Sequence, residues 1–272
     1  QGLNQFPFYV YAYAADGSSI SKITNLAIDV EGNGGSGNNN VLVWSDEFDG
    51  TGSIDSSKWT TETGGGGWGN EEEQIYTSSS NNVRREQNVL KIKVRKEANG
   101  TYTSARIITE DKFEFKYGRV EIRAKLPSVQ GSWPALWMLG ANFRDPSVGW
   151  PQCGEIDIME QFENKNSVHS TLHWKRANGE RALYGENTTN ATSSNWHVYA
   201  LEWTPTSIKT YLDGNEFFSM NISGVGPYYP FNEDFFFIFN VAMGGTNGGV
   251  IDPNLQQGFV DAMEVDYIRV YQ

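Results

Sequence analysis

The amino-acid sequence predicts an all-β fold in which two antiparallel sheets pack face to face. The 272 residues include nine Trp, thirteen Tyr and fifteen Phe, together with 29 Gly. Short aromatic-rich segments between Gly, Asn and Ser turns are typical of β-sandwiches and barrels. No window shows a helical period over three turns. A β-rich chain of this length fits one main domain, and a two-sheet antiparallel sandwich is its natural architecture.

The predicted strands follow from the alternation of apolar and polar residues. Successive strand side chains point to opposite faces, so alternation indicates one buried and one exposed face. The almost wholly apolar run 235–242 predicts a strand that is covered on both faces. Residues 213–215, Asp-Gly-Asn, predict a hairpin turn, and residues 131–134 look turn-like. Alternating strands are predicted at 41–44, 89–94, 117–126, 170–174, 197–203, 208–212 and 263–271.

The first forty residues differ from the rest of the chain. Residues 6–13 are aromatic and could form a strand, and residues 20–30 could form another short element. Residues 32–40 contain only Gly, Asn and Ser, a composition that is typical of flexible linkers. We therefore predict that residues 1–40 are an N-terminal tail, or the end of a preceding module, and that residues 41–272 form the main domain.

Charge and cysteine content narrow the classes of partner. The net charge of −12 argues against nucleic acid, whose binding relies on Lys and Arg side chains that neutralise phosphates. A neutral substrate fits this charge, as does a secreted protein kept soluble by it. The single cysteine, Cys153, allows no internal disulfide. We expect a secreted or cell-surface monomer without a transmembrane segment, anchored, if at all, through a removed N-terminal segment.

The segment with the most chemical information is 152–162. Glu155 and Asp157 have strand spacing and therefore share one face, whereas Glu160 has the wrong parity for that face. One extra strand residue, a β-bulge at Ile158 or Met159, would return Glu160 to the acidic face, and bulges are common beside active sites. Crowded carboxylates destabilise a purely structural sheet. Catalysis can use them, because neighbouring carboxylates push their pKa values apart.

Two carboxyl groups flanking a glycosidic bond are the usual equipment for its hydrolysis. A carboxyl separation of roughly 5–5.5 Å means retention of configuration and roughly 6.5–9.5 Å means inversion, and the sequence alone leaves both open. An exposed acidic strand or a Ca²⁺ site is the alternative interpretation of the three acids. Sugar chemistry is favoured by nearby aromatic residues that could stack on sugar rings and by polar partners for hydroxyl groups. The nearby Trp residues are Trp133, Trp137, Trp150 and Trp174, and the polar partners are Asn70, Glu72, Gln74, Arg106, His169 and His173.

Residues 154–160, Gly-Glu-Ile-Asp-Ile-Met-Glu, resemble the active-site motif of family 16 glycoside hydrolases, in the bulged form that is typical of laminarinases. The related lichenases lack the extra Met. The resemblance covers roughly residues 41–272. Further stretches that match the family in order are 44–48, 69–77, 117–125, 131–137, 168–174 and 265–271.

The resemblance implies a β-jelly roll with a concave cleft and retaining hydrolysis of internal β-1,3 linkages in laminarin-like glucan, in mixed-linkage β-1,3/1,4-glucan, or in both. It implies that Glu155 is the nucleophile, that Glu160 is the general acid/base and that Asp157 assists. We expect the pKa of Glu160 to be raised by the charges of Glu155 and Asp157. The residues that the resemblance places in contact with sugar are Asn70, Glu72, Arg106, Trp133, Trp137 and His173.

No cofactor is expected for catalysis. The resemblance implies a structural Ca²⁺ with Glu47 and Asp266 as side-chain ligands, against the alternative of two surface carboxylates without a metal. Two other functions remain open. One is the same fold acting on agar, carrageenan or xyloglucan. The other is a non-catalytic, lectin-like protein that binds β-glucan, which the presence of all three acids disfavours.

Overall fold

The computed structural model describes residues 41–272 except 163, 164, 190 and 194. The predictions for residues 1–40 lie outside the described residues. Seventeen strands dominate the described chain. They are β1 Leu42–Asp46, β2 Thr60–Glu62, β3 Gln74–Tyr76, β4 Val83–Glu86, β5 Val89–Lys96, β6 Tyr102–Ser104, β7 Arg106–Ile108, β8 Gly118–Lys125, β9 Ser132–Gly140, β10 Glu155–Glu160, β11 Val168–Lys175, β12 Arg181–Thr188, β13 His197–Trp203, β14 Ser207–Leu212, β15 Asn215–Asn221, β16 Phe235–Met243 and β17 Val260–Tyr271.

Helical structure is limited to short turns within the described part of the chain. These are two 3₁₀ segments, Ala141–Arg144 and Pro230–Asn232, and one α-helical turn, Gly245–Gly248. No helix there is long and apolar enough to cross a membrane.

Two sheets make up the sandwich, and their pairing is antiparallel except between β3 and β6. One sheet has ten strands. Its main order is β15-β14-β13-β8-β17-β5-β6-β3, with β1 added beside β17 and β4 beside β5. The other has seven strands in the order β12-β11-β10-β9-β16-β7-β2. The predicted all-β sandwich is confirmed, and its jelly-roll class is that of its structural relatives, described below.

The main apolar core lies between the sheets and is rich in aromatic rings. Phe237 and Phe239 on β16 and Trp59 are completely or almost completely buried, and the ring centroids of Trp59 and Phe239 are 5.1 Å apart. Burial of one such side chain contributes about 1.5–3 kcal/mol. The core therefore holds the two sheets together without a disulfide, and Cys153 is a free, buried thiol.

The face of the seven-stranded sheet that points away from this core is called the site face below. A second, smaller apolar cluster lies there, containing Leu139, Phe236, Ile238, Ile108 and Cys153. Strand β16 thus buries side chains on both faces, as predicted for residues 235–242. The segment that joins β9 to β10 contributes to this cluster through Cys153 and through the half-buried Phe143 and Val148.

Two expectations about local structure need correction. Residues 132–134 are not a turn but the start of β9, and Trp133 pairs with Ala242 of β16. Strand β12 was not predicted, because it is an edge strand whose residues are mostly exposed and lack regular apolar alternation. The short strands β2, β3, β4, β6 and β7 were not predicted either.

Candidate active site

Strand β10 carries the expected β-bulge. On β9, Asp157 pairs with Trp137 and Met159 with Leu136, so the ladder skips Ile158. On β11, Asp157 pairs with Thr171 and the next paired residue is Glu160. Ile158 and Met159 both pack in the main core. Two successive residues therefore point inward, and Glu160 returns to the site face with Glu155 and Asp157.

Two of the three acids, Glu155 and Asp157, are in contact with a histidine from β11, His173. The Nε2 atom of His173 lies 3.2 Å from Asp157 Oδ2 and 3.6 Å from Glu155 Oε1. Ligating atoms of these three residues lie within 4.8 Å of one another. Asp157 is 3% exposed, and its Oδ2 and the Nδ1 of His173 have no hydrogen-bond partner with acceptable geometry. His173 thus contacts the acids themselves.

Each of the two glutamates receives one indole N–H. Trp133 Nε1 donates to Glu160 Oε1 at 2.8 Å, and Trp150 Nε1 donates to Glu155 Oε2 at 2.7 Å. Trp133 is only 8% exposed, and Trp137 is half-buried. Hydrogen bonds to ionised carboxylates are strong. The two indoles therefore fix both outer acids of the triad.

Burial raises the pKa of all three carboxyl groups. The pKa of Glu155 rises to about 8, chiefly through loss of solvent and then through the charge of Asp157, whereas His173 and the Trp150 N–H act in the opposite direction. The pKa of Asp157 is raised well above its usual value by burial and by the charge of Glu160. The pKa of Glu160 is also raised. Protons therefore remain on this cluster near neutral pH, which general acid catalysis requires.

The expected cause of the Glu160 shift needs correction. Loss of solvent is its largest cause, and Trp133 and His173 oppose the increase. The charges of Glu155 and Asp157 were expected to be the cause. The difference arises because the sequence shows which acids are neighbours but not how much protein covers them.

A chain of hydrogen bonds links three of the predicted sugar contacts, and it begins at Trp137 on the site face. Trp137 Nε1 donates to Asn240 Oδ1 at 2.7 Å, and Asn240 Nδ2 contacts Tyr76 Oη at 3.0 Å. Tyr76 Oη donates to Glu72 Oε2 at 3.0 Å, and Asn70 Nδ2 donates to Glu72 Oε1 at 3.3 Å. Glu72 is buried and holds this arrangement together.

Arg106 lies between two aromatic rings. Its guanidinium carbon is 5.0 Å from the Trp68 ring centroid and 4.9 Å from that of Trp137, within the range of cation–π contacts. Its Nε donates to Glu62, which is its pairing partner on the edge strand β2. The register places Arg106 opposite Asn240 and Asn240 opposite Ala135, which pairs with Glu160. Arg106 is thus in the same cross-strand row as the acid.

Four residues of this site were not singled out from the sequence as contacts of the acids or of the sugar. Trp150 was noted only as one of several nearby aromatics, although the Trp-Pro pair shortly before the acidic strand was visible. The other three had weaker signals, because nothing in the sequence shows that distant strands are neighbours. These are Trp68, Tyr76 and Asn240.

The predicted calcium ligands are paired with arginines. Glu47 accepts hydrogen bonds from Arg269 at 3.0 and 2.7 Å, and Asp266 accepts one from Arg123 at 2.6 Å. Within the described residues, no group of three or more acidic, His or Cys ligands close enough to share a metal contains either carboxylate. As arranged, the two side chains do not fit a calcium site, and calcium binding stays a prediction.

Comparison with known proteins places this site in a family. Residues 70–269 match the model of "Glycosyl hydrolases family 16". A "Beta-glucanase" from Rhodothermus marinus is 42% identical over 245 residues, covering 85% of each chain. A "Glucan endo-1,3-beta-glucosidase A1" from Niallia circulans is 38% identical over 263 residues, covering 85% of this chain but 38% of that longer protein.

Solved structures agree with this assignment. The X-ray structure of the laminarinase from Rhodothermus marinus has a TM-score of 0.78 and 40% identity, covering 86% of this chain and 97% of that one. The chain belongs to glycosyl hydrolase family 16. It is a glycoside hydrolase with the jelly-roll fold of its relatives.

Proposed function

We propose that the chain is a retaining endo-β-1,3(4)-glucanase in which Glu155 is the nucleophile and Glu160 is the acid/base. The observation that carries the proposal is the bulged strand, which gathers the buried Asp157 and the half-buried Glu155 and Glu160 on one face and gives each glutamate one indole donor. The activities of the named relatives supply the substrate class: a β-glucanase, an endo-1,3-β-glucosidase and a laminarinase.

The proposed reaction has two steps. Glu160 gives its proton to the leaving glycosidic oxygen while Glu155 attacks the anomeric carbon and forms a glycosyl-enzyme ester. Ionised Glu160 then takes a proton from water, which attacks the same carbon and releases Glu155. The protonated Glu160 that the first step needs is favoured by its raised pKa.

Asp157 has a different part in this proposal. It is the most enclosed acid, and its raised pKa favours the protonated form. A neutral Asp157 adds no negative charge beside Glu155, so the nucleophile ionises more easily. His173 lies against both residues and opposes the increase in the pKa of Glu155.

We propose that sugar rings lie along the cross-strand row that contains Arg106 and Glu160. Trp137 offers a half-buried ring, and Asn70 and Glu72 are held in place behind it by Asn240 and Tyr76. Trp133 contributes to this site through its hydrogen bond to Glu160. Because substrate contacts cross several strands, the site suits an internal stretch of a polymer.

In the test, the wild-type protein is incubated separately with laminarin, mixed-linkage β-glucan, agarose, carrageenan and xyloglucan. The products are separated by chromatography, and proton NMR identifies the first anomer released. Release of short β-configured oligosaccharides from the two β-glucans supports the proposal. Preference for another polymer, an α-configured first product, or binding without cleavage contradicts it.

Two variants test the roles. Glu155→Ser is expected to abolish turnover, and Glu160→Gln is expected to lower it by about 10²–10⁴-fold. Glu216→Gln, an exposed change on β15, is the matched control and keeps wild-type activity. Substantial laminarin hydrolysis by Glu155→Ser would remove the nucleophile assignment. Extracellular location and a monomeric state stay predictions, tested by cell fractionation and by light scattering.

A further inference from the structure

Trp150 lies in the segment that joins β9 to β10, and this segment is firmly attached to the site face. Phe143, Val148 and Cys153 of the segment pack with Leu139 and its apolar neighbours. The packing buries a patch of the site face that would otherwise be open. The segment is therefore a fixed wall at one end of the acidic strand.

Two sets of polar contacts and one close steric approach hold the same segment at three points. The Arg144 guanidinium donates two hydrogen bonds of 2.6 Å to Glu110. Gln152, two residues from Trp150, accepts a hydrogen bond of 3.3 Å from Lys175 Nζ. The third point is Gly154 (φ +81°), where a Cβ would lie 2.8 Å from the Pro230 side chain. These contacts set where the chain enters β10, and so where Trp150 lies relative to Glu155.

The Trp150 ring is open to solvent while its N–H is engaged. The residue is 45% exposed, yet Nε1 lies 2.7 Å from Glu155 Oε2. The guanidinium of Arg181 lies 5.6 Å from the ring centroid, and the ring centroids of Trp150 and His173 are 6.2 Å apart. An exposed indole would be free to choose other rotamers, so its contact with the half-buried Glu155 carboxyl group needs the fixed wall described above.

We propose that Trp150 is a positioning residue whose Nε1–H donor holds the Glu155 carboxyl group in one orientation and favours its ionised form. The consequence for catalysis rests on the proposed function. An ionised, oriented Glu155 is what attack on an anomeric carbon requires. Trp133 makes the corresponding contact to Glu160 from inside β9, so the two outer acids are controlled by indoles from separate segments.

The pKa of Glu155 depends on the groups that face its carboxyl group. Asp157 and Glu160 on the same strand raise its pKa, and His173 from β11 lowers it. The neighbouring Cys153 is a buried thiol whose pKa is itself raised to about 12, so it stays neutral. The partner on β9, Leu139, is apolar. Among these groups, Trp150 is the one that donates a hydrogen bond to Glu155. Replacing Trp150 therefore changes one contribution to the pKa of Glu155 and leaves the others in place.

The first experiment needs no substrate, so its result does not depend on the proposed activity. The Glu155 side-chain carboxyl is followed by ¹³C NMR against pH, with Glu155→Gln used for assignment. Trp150→Phe keeps a ring and removes the N–H, and it is expected to raise the pKa of Glu155 by about one unit. Trp133→Phe is expected to act mainly on Glu160. Trp196→Phe, whose ring lies against Arg123 on the other sheet, is expected to change neither.

A second measurement uses the unaltered protein. The indole N–H resonance of Trp150 is expected to move with the ionisation of Glu155 and to be protected from hydrogen exchange. In kinetics on laminarin, Trp150→Phe is expected to lower kcat about tenfold with little change in KM, and to move the acidic limb of the pH profile upward. The proposal is overturned if the Trp150 N–H does not follow Glu155, or if Trp150→Phe leaves the Glu155 titration unchanged.

Discussion

Replacing Glu155 with Gln is expected to stabilise the protein, and to do so increasingly as pH rises. The raised pKa of Glu155 means that the folded state keeps a proton that the unfolded state has already lost between pH 4.5 and about 8. Unfolding therefore releases a proton in this window, and the free energy of unfolding falls as pH rises through it. Below pH 4.5 both states are protonated and the penalty is absent. Above pH 8 it is constant.

The size of the effect follows from the shift. A change from 4.5 to about 8 corresponds to roughly 5 kcal/mol at 1.36 kcal/mol per unit. Part of the shift comes from the charge of Asp157, which keeps its proton over much of this range because its own pKa is raised. We therefore expect the gain from Glu155→Gln to be about 3 kcal/mol larger at pH 9 than at pH 5. For a domain of this size that is roughly 6–12 °C in Tm.

The assay is reversible urea unfolding of both proteins at pH 5 and pH 9, followed by tryptophan fluorescence, with calorimetry as a second measure. Gln keeps the size of the side chain and an oxygen that accepts the Trp150 N–H. Glu216→Gln is the control, because it removes a carboxylate from an exposed position on β15. A gain for Glu155→Gln that is equal at the two pH values, or that is larger at pH 5, would refute the account of Glu155 as a carboxyl whose ionisation opposes folding.

Three further changes test the bulge, the cation–π contacts and the core. Deletion of Met159 restores a regular ladder and keeps Glu160 opposite its present partners, so circular dichroism is expected to show a folded sheet. The free energy of unfolding is expected to fall by about 2–5 kcal/mol and laminarin turnover to be reduced. An unfolded product would contradict this register. Arg106→Lys loses the planar stacking group between two indoles, and KM for laminarin is expected to rise while Tm changes little. Phe239→Ala empties a fully buried site and is expected to cost about 3–5 kcal/mol in urea unfolding, with a cost below 1 kcal/mol counting against the assigned core.

Much of the fold was predictable because many of its strands have one solvent-exposed face and one buried face. Alternation identified β5, β8 and β17, and the wholly apolar run identified β16 as covered on both sides. Strand β12 was missed because an exposed edge strand has no dry face to produce alternation. The turn expected at residues 131–134 was wrong because Pro134 is tolerated inside β9.

For the acidic strand β10, too, part of the structure was predictable from the sequence and part was not. Its parity alone determined that Glu160 would face the core unless the strand carried one extra residue, and that the extra residue would be Ile158 or Met159. Tertiary structure decided that both side chains enter the core. It also decided that burial is the main cause of the raised pKa of Glu160, since loss of solvent depends on how much chain covers a group.

Residues near each other in sequence share local geometry, so the sequence by itself determined the acids, their common face and the family. Contacts between distant segments require the folded chain. Only the tertiary structure brought Trp150 and Trp133 to opposite ends of the triad, linked Trp137 to Glu72 through Asn240 and Tyr76, and paired Glu47 with Arg269. These contacts depend on strand order and register, which no single stretch of sequence contains.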